Sequence, residues 1–475
     1  MLFSSSFFIF FFLPITLLIY AATPGIRLKN TILLVASVLF YWLGEKIYIA
    51  ILFISILQNY AFGILISRHV NARPRLTILV VGIVSNLTIL AYYKYFEFFT
   101  TTAGLSSELL TKIAPHHLPL GISFFTFQAI AYLVDIHRRD VVPQRNLIDY
   151  ALFKAFFPQL IAGPIVRYQT VSRQLKRRRM TFVSFAAGAE LFSIGLAKKV
   201  LVANSVAGPA DQVFAQPPHD LTAPVAWLGI ICYTLQIYFD FSGYTDMAIG
   251  LGRMFGFRLP KNFNYPYVAQ SIQDFWRRWH ITLSTWFRYY LYIPLGGNRN
   301  GVVRTQINLI LVFLLCGLWH GASWNFVVWG AYHGFFLSLE RTRFGRFLKF
   351  LPTNARIVYA LLVVMIGWVF FRAADLEHAF AYIRAMMDIG TPTFVEPNKS
   401  FFAFASSETF FWIFVGFVCA TRVPATFARI GHRGLARWAT PAADFVRAFL
   451  VLGGLTLCSS YLLSGTYNPF IYFRF

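Results

Sequence analysis

The chain has 475 residues, of which 57% are hydrophobic and only 13% are charged. Soluble domains carry about 25% charged residues, so this composition excludes an ordinary soluble protein and indicates a polytopic membrane protein with the lipid bilayer as a partner. The net charge of +23 does not indicate nucleic-acid binding, because the Lys and Arg residues form clusters between apolar segments, as in cytoplasmic loops. No polar linker divides the chain, so we expect one integral membrane domain over residues 1–475.

The N-terminal segment is apolar but is not typical of a signal peptide. A signal peptide begins with a basic region, whereas the first positive charges here, Arg27 and Lys29, follow the apolar run. We therefore predict that this segment spans the membrane with the N-terminus outside.

Apolar segments recur along the chain at lengths that suit spanning helices. They predict an all-α polytopic membrane protein with about 11–12 transmembrane helices. The predicted spans lie at roughly 5–22, 31–44, 47–67, 76–98, 118–136, 183–206, 223–250, 305–320, 322–340, 356–371, 408–421 and 445–463.

Basic clusters test this topology, because cytoplasmic loops are rich in Lys and Arg. Such clusters follow the third, fifth, seventh and ninth spans. With the N-terminus outside, all four lie on the cytoplasmic side, so the alternation of spans is consistent through the ninth.

Two apolar segments, 147–166 and 281–297, do not fit the alternation, because each has basic residues on both sides. Pro158 and Pro164 interrupt the first, and Pro294 lies near the end of the second. We predict that both are re-entrant. Broken backbone at membrane depth is tolerated only inside protein or along a water-filled cavity, so they predict a cavity that opens to the cytoplasm.

Two histidines lie in the apolar segment CGLWHGASWNFVVWGAYHG, residues 316–334. Ionisable residues within a membrane segment indicate function, and a neutral imidazole is a good proton acceptor. We therefore predict that His320 is a general base. On one continuous helix His333 would be about 220° away, so we interpret it as a packing residue or a structural hydrogen-bond partner.

Two carboxylates, Asp240 and Asp246, lie near the end of the seventh span. One interpretation is that they neutralise nearby arginines, with Arg253, Arg277 and Arg278 as the candidates. The other is that they handle substrate directly.

The segment 273–299 is rich in Trp and Arg and also carries His280. We expect His280 to face the cavity, with a functional and a structural role equally open. Trp319 and Arg277 are further candidates for substrate contact or for structure. The chain has no nucleotide-binding or hydrolase motif, and its four cysteines have no metal-binding spacing, so we expect no metal site and no bound cofactor.

Four segments together carry a resemblance to a known family: FPQLIAGPIVRY, YFDFSGYTDMAIGLGRMFGF, FWRRWHITLSTWFRYYLYIPLGG and LWHGASWNFVVWGAYHG. They resemble the membrane-bound O-acyltransferase family, in the branch that O-acetylates bacterial polysaccharides such as alginate. The resemblance covers essentially the whole chain.

The resemblance implies transfer of an acyl group from a cytoplasmic thioester to a hydroxyl, with His320 as the catalytic residue and His280 in a supporting role. It implies a ring of tilted helices around a central funnel, in the bacterial inner membrane. It also implies acetyl-coenzyme A as the donor, a polysaccharide as the acceptor and a periplasmic O-acetyltransferase as a partner.

Other interpretations remain open at this point. D-alanyl or other acyl transfer to a cell-envelope acceptor would use a similar protein. A proton-coupled transporter would also have broken helices and intramembrane His and Asp residues.

Overall fold

The computed structural model describes residues 1–105, 108–115, 117–389, 401–423, 426, 440–465 and 467–471. These residues form helices and connecting loops, with no strand in the described ranges. The chain divides into two compact units. Unit 1 comprises Met1–Phe192, Thr245–Lys261 and Arg288–Tyr290, and unit 2 comprises Ser193–Tyr244, Asn262–Phe287 and Leu291–Phe475. Whether the whole chain behaves as one membrane domain stays a prediction.

The first half of the chain consists mainly of helices joined by short turns. These are α1 (Leu13–Ala22), α2 (Ile26–Glu45), α3 (Ile49–Arg68), α4 (Ala72–Leu90), α5 (Phe96–Thr102), α6 (Glu108–Ile113), α7 (Ile122–His137), α8 (Leu147–Ala155), α9 (Phe157–Leu160), α10 (Tyr168–Lys176), α11 (Phe182–Ala197) and α12 (Asn204–Phe214). π-Helical turns at Phe8–Phe12, Ala91–Tyr95 and Lys198–Ala203 extend three of these helices.

The second half continues in the same way. Its helices are α13 (Ala223–Met254), α14 (Ile272–Arg278), α15 (Ile281–Phe287), α16 (Gly301–His320), α17 (Trp324–Leu339), α18 (Arg343–Phe350), α19 (Thr353–Arg372), α20 (Leu376–Met386), α21 (Phe401–Phe404), α22 (Ser407–Ala420) and α23 (Thr440–Leu463).

Every predicted span coincides with helix in the structure, which confirms the all-α polytopic fold. Five helical stretches are long and apolar enough to cross a membrane by length and composition, namely Ile26–Arg68, Ala72–Thr102, Ala223–Met254, Gly301–His320 and Thr353–Arg372. Shorter apolar helices occupy Phe8–Ala22, Ile122–His137, Ser407–Ala420 and Ala448–Leu463.

Polar side chains join helices inside unit 1. Asn59 on α3 and Asn86 on α4 exchange amide hydrogen bonds of 3.0 and 2.8 Å, and both side chains are buried. Reciprocal bonds satisfy both amides away from water, as apolar surroundings require. This pair therefore holds two predicted spans together without exposing a polar group.

The first predicted re-entrant segment is a helix broken twice, once just before Pro158 and again at residues 161–167, which include Pro164. Helix α8 ends where Phe156 adopts an extended conformation, with φ −51° and ψ 107°, and Pro158 then stands in the first turn of α9. Proline is tolerated in a first helical turn because its missing N–H has no partner there. Residues 150–166 are buried throughout, as irregular backbone in a membrane protein must be.

The second predicted re-entrant segment begins as α15 and continues into a π-helical turn at Arg288–Tyr292. The helical conformation ends two residues before Pro294, because a residue that precedes proline disfavours the helical region. Gly296 and Gly297 follow with φ of +98° and +58° and turn the chain. The depth of both segments in a membrane stays a prediction.

Candidate active site

Helices α16 and α17 form a closely packed hairpin because glycines face each other between them. A Cβ atom added to Gly317 would lie 2.1 Å from the carbonyl oxygen of Phe326, and one added to Gly330 would lie 2.3 Å from that of Phe313. Real side chains do not tolerate such distances. Small residues let helix backbones approach closely in membrane proteins. Here the close approach determines where the side chains of α16 and α17 lie relative to each other.

The hairpin corrects the expectation that His320 and His333 lie on different faces of one helix. Helix α16 ends at His320, and α17 begins only at Trp324. The two histidines therefore belong to two helices that fold back on each other. Both rings pack against Trp329, with centroid distances of 5.1 Å for His320 and 5.0 Å for His333.

His280 reaches the same region from the turn between α14 and α15. It has φ +42°, a left-handed conformation that residues with a side chain rarely adopt, and its side chain is fully buried. Its ring lies 6.0 Å from Trp319 between centroids, and Trp319 lies 4.8 Å from His320. The expectation that His280 faces a cavity stays a prediction, whereas its proximity to His320 is a feature of the structure.

The rings of His280, Trp319, His320, Trp329 and His333 thus form a continuous row, which we call the histidine–tryptophan cluster. It lies within unit 2 and unites residues from two separate sequence motifs. All five side chains are buried, and His320 is 3% exposed. Burial disfavours a charged imidazolium in general, and a neutral His320 stays a prediction.

Asn262 holds His280 and was not a predicted site residue. His280 Nδ1 lies 3.1 Å from Asn262 Oδ1, which also accepts the backbone N–H of Thr282 at 3.2 Å. Because a backbone N–H donates to this atom, it is the amide oxygen, and Nδ1 of His280 carries the proton. Nε2 is therefore the basic nitrogen. No motif marks Asn262, because it becomes a partner only through the fold.

His333 differs from the other two histidines in its contacts. Its ring is enclosed by Trp276 at 5.1 Å, Trp329 and Phe313 at 6.4 Å. Among the described residues, neither of its ring nitrogens has a hydrogen-bond partner. The described contacts of His333 are therefore packing contacts, and they include no structural hydrogen bond.

A cavity of about 130 Å³ has Phe371, a ring neighbour of His320, in its wall. Phe371 packs edge-on against the His320 ring at 5.2 Å. We call it the inner cavity, and its lining comprises Asp211, Tyr233, Gln236, Ser323, Phe326, Phe371, Arg372, Ala373, Ala374, Pro469 and Ile471.

Asp240 is neutralised, but not by any of the three arginines considered from the sequence. It pairs with Lys199 at 2.8 Å, and both side chains are buried. Arg278 instead bonds Asp274 at 2.9 Å within α14, and Arg277 is exposed. Lys199 lies inside the sixth predicted span, so its place in an apolar segment was a signal available in the sequence.

The Asp240–Lys199 pair also anchors the end of the described chain. Asp240 Oδ2 accepts the backbone N–H of Ile471 at 2.8 Å, and Lys199 donates to the carbonyl oxygen of Pro469. Both Pro469 and Ile471 line the inner cavity. The buried ion pair thus positions part of the cavity wall.

Two predicted site residues remain to be located. Asp246 belongs to unit 1 and is half-buried, and Arg277 lies at the exposed end of α14. In the described ranges, no group of three or more His, Cys, Asp or Glu residues is arranged to hold a metal ion.

Comparison with known proteins gives consistent matches. The profile of the membrane-bound O-acyltransferase family matches residues 82–376, which include His280, Trp319 and His320. The chain is 45% identical over 409 residues to a probable alginate O-acetylase of Azotobacter vinelandii, with 84% of this chain and 81% of the relative covered. It is 41% identical over 512 aligned positions to a probable alginate O-acetylase of Pseudomonas putida, with 100% of each chain covered. It is also 40% identical over 425 residues to a peptidoglycan O-acetyltransferase of Helicobacter pylori, with 82% of this chain and 80% of the relative covered.

Proposed function

This chain belongs to the membrane-bound O-acyltransferase family, and on that premise we propose that it transfers an acetyl group from acetyl-coenzyme A to hydroxyl groups of an extracellular polysaccharide such as alginate. It is a multi-pass membrane O-acyltransferase. The names of its relatives, which are O-acetylases and O-acetyltransferases of alginate and peptidoglycan, support acetyl as the group transferred.

The observation that carries the proposal is the position of His320. It is buried, it is the last residue of α16, and its ring packs against Phe371, which lines the inner cavity. As the substrate hydroxyl attacks the thioester carbonyl, neutral His320 accepts the hydroxyl proton. The C–S bond then breaks, and the coenzyme A thiolate leaves and takes that proton back from the imidazolium as the thiol. The C-terminal end of a helix carries partial negative charge that stabilises the imidazolium so formed. A positioned general base contributes roughly 10²–10⁴-fold to the rate.

His280 has a supporting role in this scheme. Because Nδ1 carries the proton and bonds Asn262, Nε2 accepts rather than donates a hydrogen bond. An oxyanion needs a donor, so this tautomer favours a role in orienting the donor or the neighbouring rings. The contact of His280 with Trp319, which in turn packs on His320, supports the same role.

The donor and the acceptor arrive from opposite sides in this proposal. The basic clusters place Arg138 on the cytoplasmic side, where it is exposed and packs over the ring of Tyr290, and such arginines suit the phosphates of acetyl-coenzyme A. The acceptor side is extracytoplasmic, where a partner O-acetyltransferase receives the acetyl group. The protein would then lie in the bacterial inner membrane with its N-terminus outside.

The experiment is acetyl transfer from radiolabelled acetyl-coenzyme A by the purified full chain in nanodiscs. We compare wild type with His320→Ala and with His219→Ala, which makes the same change at an exposed histidine. We expect loss of donor turnover by about 10²-fold or more in His320→Ala alone.

A folding control accompanies this comparison. Size-exclusion profiles and thermal unfolding of His320→Ala establish that the variant is intact. Undiminished turnover in a folded His320→Ala protein would contradict the assignment of the base. Turnover that appears only when an extracytoplasmic partner is added would support the transfer chain with a partner.

A further inference from the structure

The short helix α18 follows the end of α17 and has a side that no other part of the described chain covers. It comprises eight residues, Arg343–Phe350, which is about 12 Å of helix and too short to cross a bilayer. Phe347 and Phe350 are 55% and 86% exposed. Large exposed aromatic side chains on a helix that does not span the membrane indicate contact with something outside the chain.

Contacts with neighbouring elements fix the orientation of α18. Thr342 caps its start by accepting the backbone N–H of Phe344 at 3.2 Å. Leu348 is buried, and the ring of Phe344 packs against Tyr359 of α19 with centroids 5.7 Å apart. The side of α18 that carries Phe344 and Leu348 is therefore held against the protein, and the opposite side faces outward.

The outward side of α18 combines aromatic and basic residues. At about 100° per residue, Phe347 and Phe350 lie close together, and Arg343, Arg346 and Lys349 lie beside them on the same half of the helix. All five side chains are exposed. Phe together with Lys and Arg is typical of a helix in the membrane interface, because the rings enter the acyl boundary while the cations stay at the headgroups.

The positive charges at α18 are not neutralised within the described chain. Four basic side chains form no ion pair with a carboxylate of any described residue, namely Arg341, Arg343, Arg346 and Lys349. The adjacent carboxylate, Glu340, is engaged elsewhere, because it accepts the backbone N–H groups of Ile272 and Gln273 at 2.6 and 3.0 Å. This surface is therefore complementary to an anionic partner.

The position of α18 along the chain gives its side of the membrane. Basic clusters after the third, fifth and seventh predicted spans place the ends of those spans in the cytoplasm. Because the ninth span ends two spans further on, α18 lies on the same side. The cytoplasmic surface of a membrane is negatively charged, and clusters of about four to eight Lys and Arg immediately cytoplasmic of a span are typical of anionic-lipid binding.

We propose that the outward side of α18 binds anionic phospholipids of the cytoplasmic leaflet, with Arg343, Arg346 and Lys349 at the phosphate groups and Phe347 and Phe350 among the upper acyl carbons. The two rings favour a lipid over a soluble phosphate compound, because a soluble compound would leave both rings in water. The inference concerns lipid recognition, and it does not depend on the group that the enzyme transfers.

The test is photo-crosslinking from α18 to lipid in the full chain. Phe347→Cys, in a chain whose four native cysteines are replaced by Ser or Ala, is coupled to benzophenone maleimide. The protein is reconstituted in nanodiscs with equal amounts of phosphatidylglycerol and phosphatidylcholine, and one lipid at a time carries a radiolabel. We expect phosphatidylglycerol to be crosslinked about fivefold or more over phosphatidylcholine.

A matched pair of double variants tests the role of the cations. Arg346→Gln/Lys349→Gln should bring the ratio of the two crosslinked lipids close to one. Arg173→Gln/Lys176→Gln makes the same two changes at the same spacing on α10, whose exposed residues include no aromatic side chain, and should leave the ratio unchanged. Equal crosslinking of both lipids before these changes, no crosslinking to either lipid, or an equal loss of preference in both double variants overturns the inference.

A kinetic readout separates lipid from the donor as the partner of these cations. In nanodiscs of phosphatidylcholine alone, Arg346→Gln/Lys349→Gln should keep the KM for acetyl-coenzyme A. A KM raised about tenfold there would assign the cations to the phosphates of the donor and overturn the inference. Absence of donor turnover in wild type would contradict the proposed function, whereas the crosslinking result would stand.

Discussion

At the scale of single residues, the site depends on neighbours that orient the histidines. His320 is held among Trp319, Trp329 and Phe371, whose rings lie 4.8, 5.1 and 5.2 Å from it. His280 is held in one tautomer by its hydrogen bond to Asn262. A reactive imidazole needs a fixed orientation as much as a suitable pKa, because proton transfer requires hydrogen-bond geometry.

Asn262→Ala tests whether this orientation matters for transfer. Loss of the amide oxygen removes the hydrogen bonds to His280 Nδ1 and to Thr282, so His280 can adopt either tautomer. Residues that orient a reactive ligand or base typically affect activity by about 10–100-fold, and we expect a loss of acetyl transfer in this range. Initial rates of donor turnover measure it. An unchanged rate in a folded variant would mean that the tautomer of His280 has no bearing on the reaction.

At the scale of secondary-structure elements, the α16–α17 hairpin determines where the histidines of the site lie. The two helices approach closely because Gly317 and Gly330 lack side chains, and this approach brings both His320 and His333 into contact with Trp329. The break at residues 321–323 is what permits the reversal of direction. The contact between α16 and α17 needs no polar side chain, because backbone atoms of one helix pack directly against the glycines of the other.

Gly330→Ala tests the hairpin with the smallest possible change. The added methyl group would meet the Phe313 carbonyl oxygen at 2.3 Å, so the helices must separate. Overpacking of this kind costs about 1–3 kcal/mol, and we expect a lower unfolding temperature together with reduced transfer. Gly453→Ala is the matched control, because a methyl group there meets nothing within 4 Å. Equal unfolding temperatures for the two variants would contradict the proposed role of close packing.

At the scale of the whole molecule, the charge distribution predicts the orientation in the membrane. The chain carries 42 Lys and Arg residues against 19 Asp and Glu, and its basic clusters follow alternate spans. Positive charge is retained in the cytoplasm, so the sides on which donor and acceptor arrive depend on this asymmetry.

Cysteine labelling tests the orientation. Thr170→Cys lies in the predicted cytoplasmic segment and Ala215→Cys in a predicted extracytoplasmic loop, and both positions are exposed. With the four native cysteines replaced by Ser or Ala, a membrane-impermeant maleimide added to intact cells should label Ala215→Cys alone. It should label both in permeabilised cells. Labelling of Thr170→Cys in intact cells would reverse the predicted topology.

The sequence by itself determined the class of the protein and the positions of its helices. Composition and the spacing of apolar segments are local properties, and they are sufficient because a segment in lipid must satisfy its own backbone hydrogen bonds as a helix. The motifs around His280 and His320 also carried the family resemblance, which the match over residues 82–376 supports.

Only the tertiary structure decided which residues meet. The pairing of Asp240 with Lys199 rather than an arginine, the hydrogen bond from Asn262 to His280 and the shared contact of two histidines with Trp329 all join positions distant in the chain. Such contacts depend on how helices pack, and glycine-mediated approach has no periodic signature that distinguishes one partner helix from another. Local sequence therefore determines the helices, whereas the active site forms only when the helices pack together.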